Sequence, residues 1–236
     1  MRAMQQKISD RANASSFPKK DARDACLYRV CQAINVYCFG VGTELTAREL
    51  REHVDAHDDV LALTQRAFGN TGRTNVLTFY RARRRAHLFL DVWNAFEDPL
   101  RIIDAAVVPA TERAKDDGEH AGIPTVWKRV SRVAKASAQA TPDQRGAYFD
   151  TVKFWSSARN TIHSNTVYSG TSTNTLVLPS GFRPELVPGK PTSFMEPSHM
   201  PLLIQPLIDA WEYLRAGITQ NELIAMPASI DESAYD

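Results

Sequence analysis

Residues 79–99 read FYRARRRAHLFLDVWNAFEDP, in which Phe79, Ala82, Ala86, Phe89, Trp93 and Phe96 recur at the three-to-four spacing of one helical face. This spacing predicts a central core helix, buried along one side and ended by Pro99. Its other faces carry Arg81, Arg83, Arg84 and Arg85.

The same period dominates on both sides. Before it, Cys26, Val30, Ile34 and Tyr37 form a stripe over a helix from Asp21 to about Phe39, with Gly40 and Gly42 predicting its stop. Thr46-Ala47-Arg48-Glu49 has capping-box spacing and opens a polar helix to about Phe68, before the breaker Gly69-Asn70-Thr71-Gly72. After it, a helix from Leu100 to about Lys115 should kink or split at Pro109, and Asp116-Asp117-Gly118-Glu119 reads as a solvated loop. A basic helix follows from Thr125 to about Ala140. Thr141-Pro142-Asp143-Gln144 then restarts the chain into a helix with Tyr148, Val152, Trp155 and Ile162 on one stripe, ending near His163.

Composition changes after Asn165. Residues 166–194 are rich in Thr, Ser, Gly and Pro, and Leu176-Val177-Leu178 and Glu185-Leu186-Val187 flank Pro179-Ser180-Gly181 as a β-hairpin. Met200, Leu203, Leu207, Trp211, Leu214 and Ile218 trace a last helix despite Pro201 and Pro206. The predicted organisation is a mobile N-terminal arm (1–18), a single helical domain (19–220) with a β-hairpin insertion at 166–195, and an acidic C-terminal tail (221–236). The fold class is all-α: sustained helical periodicity argues against a sandwich, barrel or doubly wound sheet.

The 28 Lys+Arg against 27 Asp+Glu give a formal charge of +1, which removes the long-range positive field of a dedicated duplex-DNA binder. No stretch approaches the roughly 18 consecutive apolar residues of a membrane span, and the opening residues lack a signal-peptide apolar core, so a cytoplasmic protein without membrane contact is expected. Cys26, Cys31 and Cys38 form neither a C-x-x-C pair nor an even disulfide set and are expected as packed thiols. P-loop, dinucleotide-binding and nucleophile-elbow patterns are missing from the sequence, and no cofactor is expected.

Chemistry concentrates at Phe154-Trp155-Ser156-Ser157-Ala158-Arg159-Asn160-Thr161-Ile162-His163-Ser164-Asn165. Arg159 and His163, four apart, share a helical face, and Arg159 interrupts the buried stripe, so its guanidinium calls for an anionic partner. Histidine can take a proton from a ribose 2′-hydroxyl or give one to the leaving oxygen, while guanidinium neutralises charge on the phosphoryl oxygens. Asn160 and Asn165 could orient the ring or bind phosphate. A bridge from Arg159 to a core acid such as Asp91 or Asp150 is the purely structural reading.

The string Ala158-Arg159-Asn160-Thr161-Ile162-His163-Ser164-Asn165 resembles the Arg-Asn…His signature of the HEPN superfamily, over about residues 142–165. The resemblance implies a HEPN-like helical bundle and a metal-independent endoribonuclease with Arg159, His163 and Asn160 as catalytic residues, leaving 2′,3′-cyclic phosphate or 3′-phosphate ends. It further implies a homodimer in which two Arg/His pairs face one cleft, and a toxin or phage-defence role with an antitoxin or regulatory protein as partner. Three residues separate Arg159 from His163, a shorter interval than usual in catalytic members. The alternative is therefore a non-catalytic HEPN-like nucleotide or nucleic-acid binding module.

Two basic clusters are candidates for tracking RNA: Arg81, Arg84 and Arg85 on the central helix, and Lys128 with Arg132 on the basic helix. His53 and His57 lie four apart but lack the following Glu and an obvious third ligand, so no metal site is expected.

Overall fold

The computed structural model describes residues 1–15, 17, 20–53, 73–119, 125–137, 146–163, 167–192, 194, 196–219 and 222–227. Among them are seven helices, α1 (Arg2–Asn13), α2 (Ala22–His53), α3 (Arg73–Val107), α4 (Ala110–Glu119), α5 (Thr125–Ala136), α6 (Gly146–His163) and α7 (Met200–Ala216). An antiparallel hairpin of β1 (Asn174–Thr175) and β2 (Glu185–Leu186) precedes α7. The protein is mostly helical, as its periodicity predicts.

The N-terminal stretch expected as an arm is α1. Met4, Ile8 and Ala12 are buried four residues apart, and the Tyr28 hydroxyl of α2 donates to the Ala12 carbonyl at 3.3 Å. A stripe one residue wide reads as aperiodic in sequence but suffices once α2 supplies the facing surface. Part of the expected acidic tail is also folded: Ile224 is buried, Ala22 donates to its carbonyl at 2.8 Å, and Met226 donates to Lys20 at 2.9 Å. Asp21 caps α2 by accepting from the Arg23 amide at 2.9 Å.

Two predicted stops are overrun. α2 continues through Gly40 and Gly42, and α3 continues through Pro99. A glycine costs a helix only about 1 kcal/mol and a proline about 3, which burial of Tyr37 on α2, and of Phe96, Leu100 and Ile103 on α3, offsets. The polar helix predicted to start at Thr46 is therefore the end of α2, and its extension to Phe68 lies outside the described residues. At Pro109 the predicted split occurs, between α3 and α4. Residues 116–119, expected as a loop, form the last turn of α4.

α6 reaches His163, the last described residue before 167. In the hairpin Asn174 pairs with Leu186 and Thr175 with Glu185, and Leu176 and Leu178 donate to Pro184 and Phe182 at 3.1 Å beyond them. Gly181, at φ +80°, closes the turn with a 2.9 Å bond to Leu178, a conformation that favours glycine.

The buried side chains form one cluster drawing on every helix except α4, together with the hairpin. Cys26 and Cys31 lie in it; burial pushes the Cys26 thiol well up and the Cys31 thiol up to about 11. Among the described residues no helix is long and apolar enough to cross a membrane.

Candidate functional site

Aromatic contacts set the relative directions of three core helices. Phe89 of α3 stacks on Trp155 of α6 with ring centroids 3.8 Å apart, and the Trp155 indole N–H donates to the Leu203 carbonyl of α7 at 3.2 Å. Further along α7, Trp211 meets Phe96 at 5.6 Å and Tyr213 meets Phe149 at 6.1 Å. α3 therefore runs with α7, and α6 runs against both.

One turn beyond the Phe89, Trp155 and Leu203 layer, away from Phe96 and Phe149, the three helices reach Arg85, Arg159 and His199 at one end of the bundle. All three are half-buried. Among the described residues each also holds a fully buried nitrogen without a hydrogen-bond partner: Nε of Arg85, Nε of Arg159 and Nδ1 of His199. Desolvated donors left unpaired are costly, and a guanidinium is satisfied best by a bidentate oxyanion. His199 also precedes the first turn of α7, whose dipole favours negative charge.

The predicted residues of α6 occupy this end. Arg159 donates from Nη1 to the Asn160 side-chain oxygen at 3.1 Å, Asn160 is exposed, and His163 is exposed in the last turn. Among the described residues Arg159 pairs with neither Asp91 nor Asp150. Thr161 turns inward instead, its hydroxyl donating to Ser157 at 2.9 Å. Asn165 and His57 lie outside the described residues, as does the side chain of His53.

The two basic clusters fare differently. Arg81 and Arg84 converge on Glu44 of α2, Arg84 at 3.0 Å, and the Arg81 bond holds the Glu44 carboxyl below its usual range. Arg85 stays outside that pairing. Arg132 is buried and engaged by Asp104, Asp116 and Asp117, each at 2.8 Å, and Lys128 donates to the Asp117 carbonyl at 3.2 Å. Arg132 and Lys128 thus pin α4 and the end of α3 to α5 rather than facing a phosphate backbone, because the supposed acidic loop folds onto them.

No protein-family model, curated protein or solved structure matches this chain.

Sequence reasoning missed His199, whose signal was its place just before the Met200-Pro201 helix start, and Glu44, which carried none. Among the described residues no group of three or more His, Cys, Asp or Glu is arranged to hold a metal ion. At the α6 end Arg159 is half-buried and His163, one turn further on, is exposed.

Proposed function

We propose that this chain is a HEPN-like, metal-independent endoribonuclease of cytoplasmic setting, with Arg159 binding the scissile phosphate and His163 transferring the proton. The observation that carries the reading is the half-buried Arg159 guanidinium, its Nε without a partner among the described residues, one turn before an exposed histidine. In the reaction the RNA 2′-oxygen attacks the adjacent phosphorus, the 2′-proton passes to an imidazole, the bond to the 5′-oxygen breaks, and that oxygen takes a proton. Arg159 and Arg85 neutralise the charge that builds on the phosphoryl oxygens. The homodimer implied by the resemblance supplies two imidazoles to one cleft, one as base and one as acid. A toxin or phage-defence role with an antitoxin partner belongs to the same reading.

The test is a mixed RNA pool incubated with wild type, Arg159→Ala and His163→Ala in EDTA, with product ends analysed. Cleavage by wild type alone, leaving cyclic phosphate, is expected. Equal cleavage by an Arg159→Ala, His163→Ala double variant overturns the assignment.

One observation favours a second reading, a non-catalytic HEPN-like nucleotide or nucleic-acid binding module. His163 makes no hydrogen bond to orient its ring among the described residues. Saturable RNA binding without turnover over long incubation selects this reading.

A further inference from the structure

α2 and α3 enclose a cleft of about 500 Å³ whose walls include Tyr37, Phe39, Gly40, Tyr80, Arg83 and Arg84. This is the size of a small-molecule site. Its rim is unusual for a helix pair: Phe39 is 77% exposed, Val36 64% and Tyr80 51%. Solvent-facing aromatics on both helices offer flat surfaces for a planar ring.

The floor is cationic. The Arg84 guanidinium lies 5.4 Å from the ring centres of both Tyr37 and Tyr80, and its Nη2 donates to Glu44 at 3.0 Å. Among the described residues its Nε and Nη1 are buried with no hydrogen-bond partner. Gly40 makes this placement possible: a Cβ there would come within 3.1 Å of Arg84 Cδ and 3.3 Å of Nη1. A helix-weakening glycine thus sits where the guanidinium lies on the α2 backbone. Arg83 adds an exposed cation, while His87 and Asp91, also in the lining, bring an imidazole and a carboxylate that can accept from an amino or hydroxyl group.

Exposed rings and two arginines complement a ligand with both a planar face and an anionic group. We propose that the α2/α3 cleft is a nucleotide-binding pocket, stacking the base on Tyr80 and Phe39 and holding its phosphate at Arg83 and Arg84. The proposal stands independently of RNA cleavage at α6. The same chemistry is offered by a free nucleoside 5′-monophosphate and by the 5′-phosphorylated terminal nucleotide of an RNA strand.

Isothermal titration of the full chain tests it with AMP, CMP, adenosine, inorganic phosphate and a 5′-phosphorylated, 2′-O-methyl oligonucleotide that cannot be cleaved through its 2′-oxygen. Saturable binding of a nucleoside monophosphate is expected, at least about tenfold tighter than adenosine or phosphate alone. Arg84→Gln and the exposed-site variant Tyr80→Ala should each weaken it about tenfold at unchanged melting temperature for Tyr80→Ala. His163→Ala should leave it unaltered, which separates failure here from failure of the ribonuclease reading. Binding of the oligonucleotide alone, with the same Tyr80 dependence, assigns the pocket to a strand end. Absence of saturable binding by every nucleotide probe, phosphate binding as tight as the nucleotide, or affinity indifferent to both variants overturns the proposal.

Discussion

Phe89 and Trp155 lie face to face, ring centroids 3.8 Å apart and planes 12° from parallel, both essentially excluded from solvent. The stack joins α3 to α6 one turn below Arg85 and Arg159, so the layer that stabilises the bundle also aligns the candidate oxyanion site. Phe89→Ala should lower unfolding free energy by about 3–5 kcal/mol in urea titration, the range for a buried aromatic. A loss under about 1 kcal/mol would show that the stack is not part of the cooperative core.

Gly40 and Gly42 stand two residues apart in the same helix but in different surroundings. A Cβ at Gly42 meets nothing within 4 Å, whereas at Gly40 it meets Arg84 Cδ at 3.1 Å. Gly42→Ala should stabilise the protein by up to about 1 kcal/mol, the propensity difference, and Gly40→Ala should gain clearly less or lose. Equal gains by thermal melting would mean that Arg84 moves aside freely.

Arg132 and Asp104 form a buried ion pair, 6% and 5% exposed. Arg132→Ala leaves a buried carboxylate uncompensated and should cost about 3–5 kcal/mol, while replacing both partners by Met and Leu should recover most of that loss. Chemical denaturation of the three variants decides it. Reduced RNA affinity for Arg132→Ala with unchanged stability would instead return this residue to a binding role.

Three carboxyl groups are held below their usual values. The Arg81 bond lowers Glu44, the Arg132 bond lowers Asp117, and at Asp21 the bonds from Arg23 and Ile224 outweigh the upward push of burial. A carboxyl with a lowered folded pKa contributes stability that is present above its unfolded value, 3.8 for Asp and 4.5 for Glu, and is lost as pH falls through the lowered one. Urea midpoints should therefore hold from about pH 7 to pH 5 and fall steeply below about pH 4. Asp21→Asn should flatten that fall, and a variant with the wild-type slope would exclude Asp21 as a contributor.

Much of the helical architecture was legible because burial of one face imposes a period on the chain. The stripes through Val30 and Ile34, Phe89 and Trp93, Val152 and Trp155, and Leu203 and Leu207 were each found in sequence and each lies in the core. Pro109 marked a true boundary, between α3 and α4. The candidate site was half legible: Arg159 and His163 could be placed at a helix end, but Arg85 and His199 join that end only through the directions of α3 and α7.

The sequence by itself determined the main core stripes, since these follow from side-chain spacing, but not the buried face of α1, nor that Ala82 of the α3 stripe is exposed. Only the tertiary structure decided whether a break signal was obeyed and which charge met which. A glycine or proline weighs a few kcal/mol at most, so packing against a neighbouring helix overrides it, as at Gly40 and Pro99. Ion-pair partners such as Glu44 with Arg84, 40 residues apart, depend on which helices the folded core brings side by side.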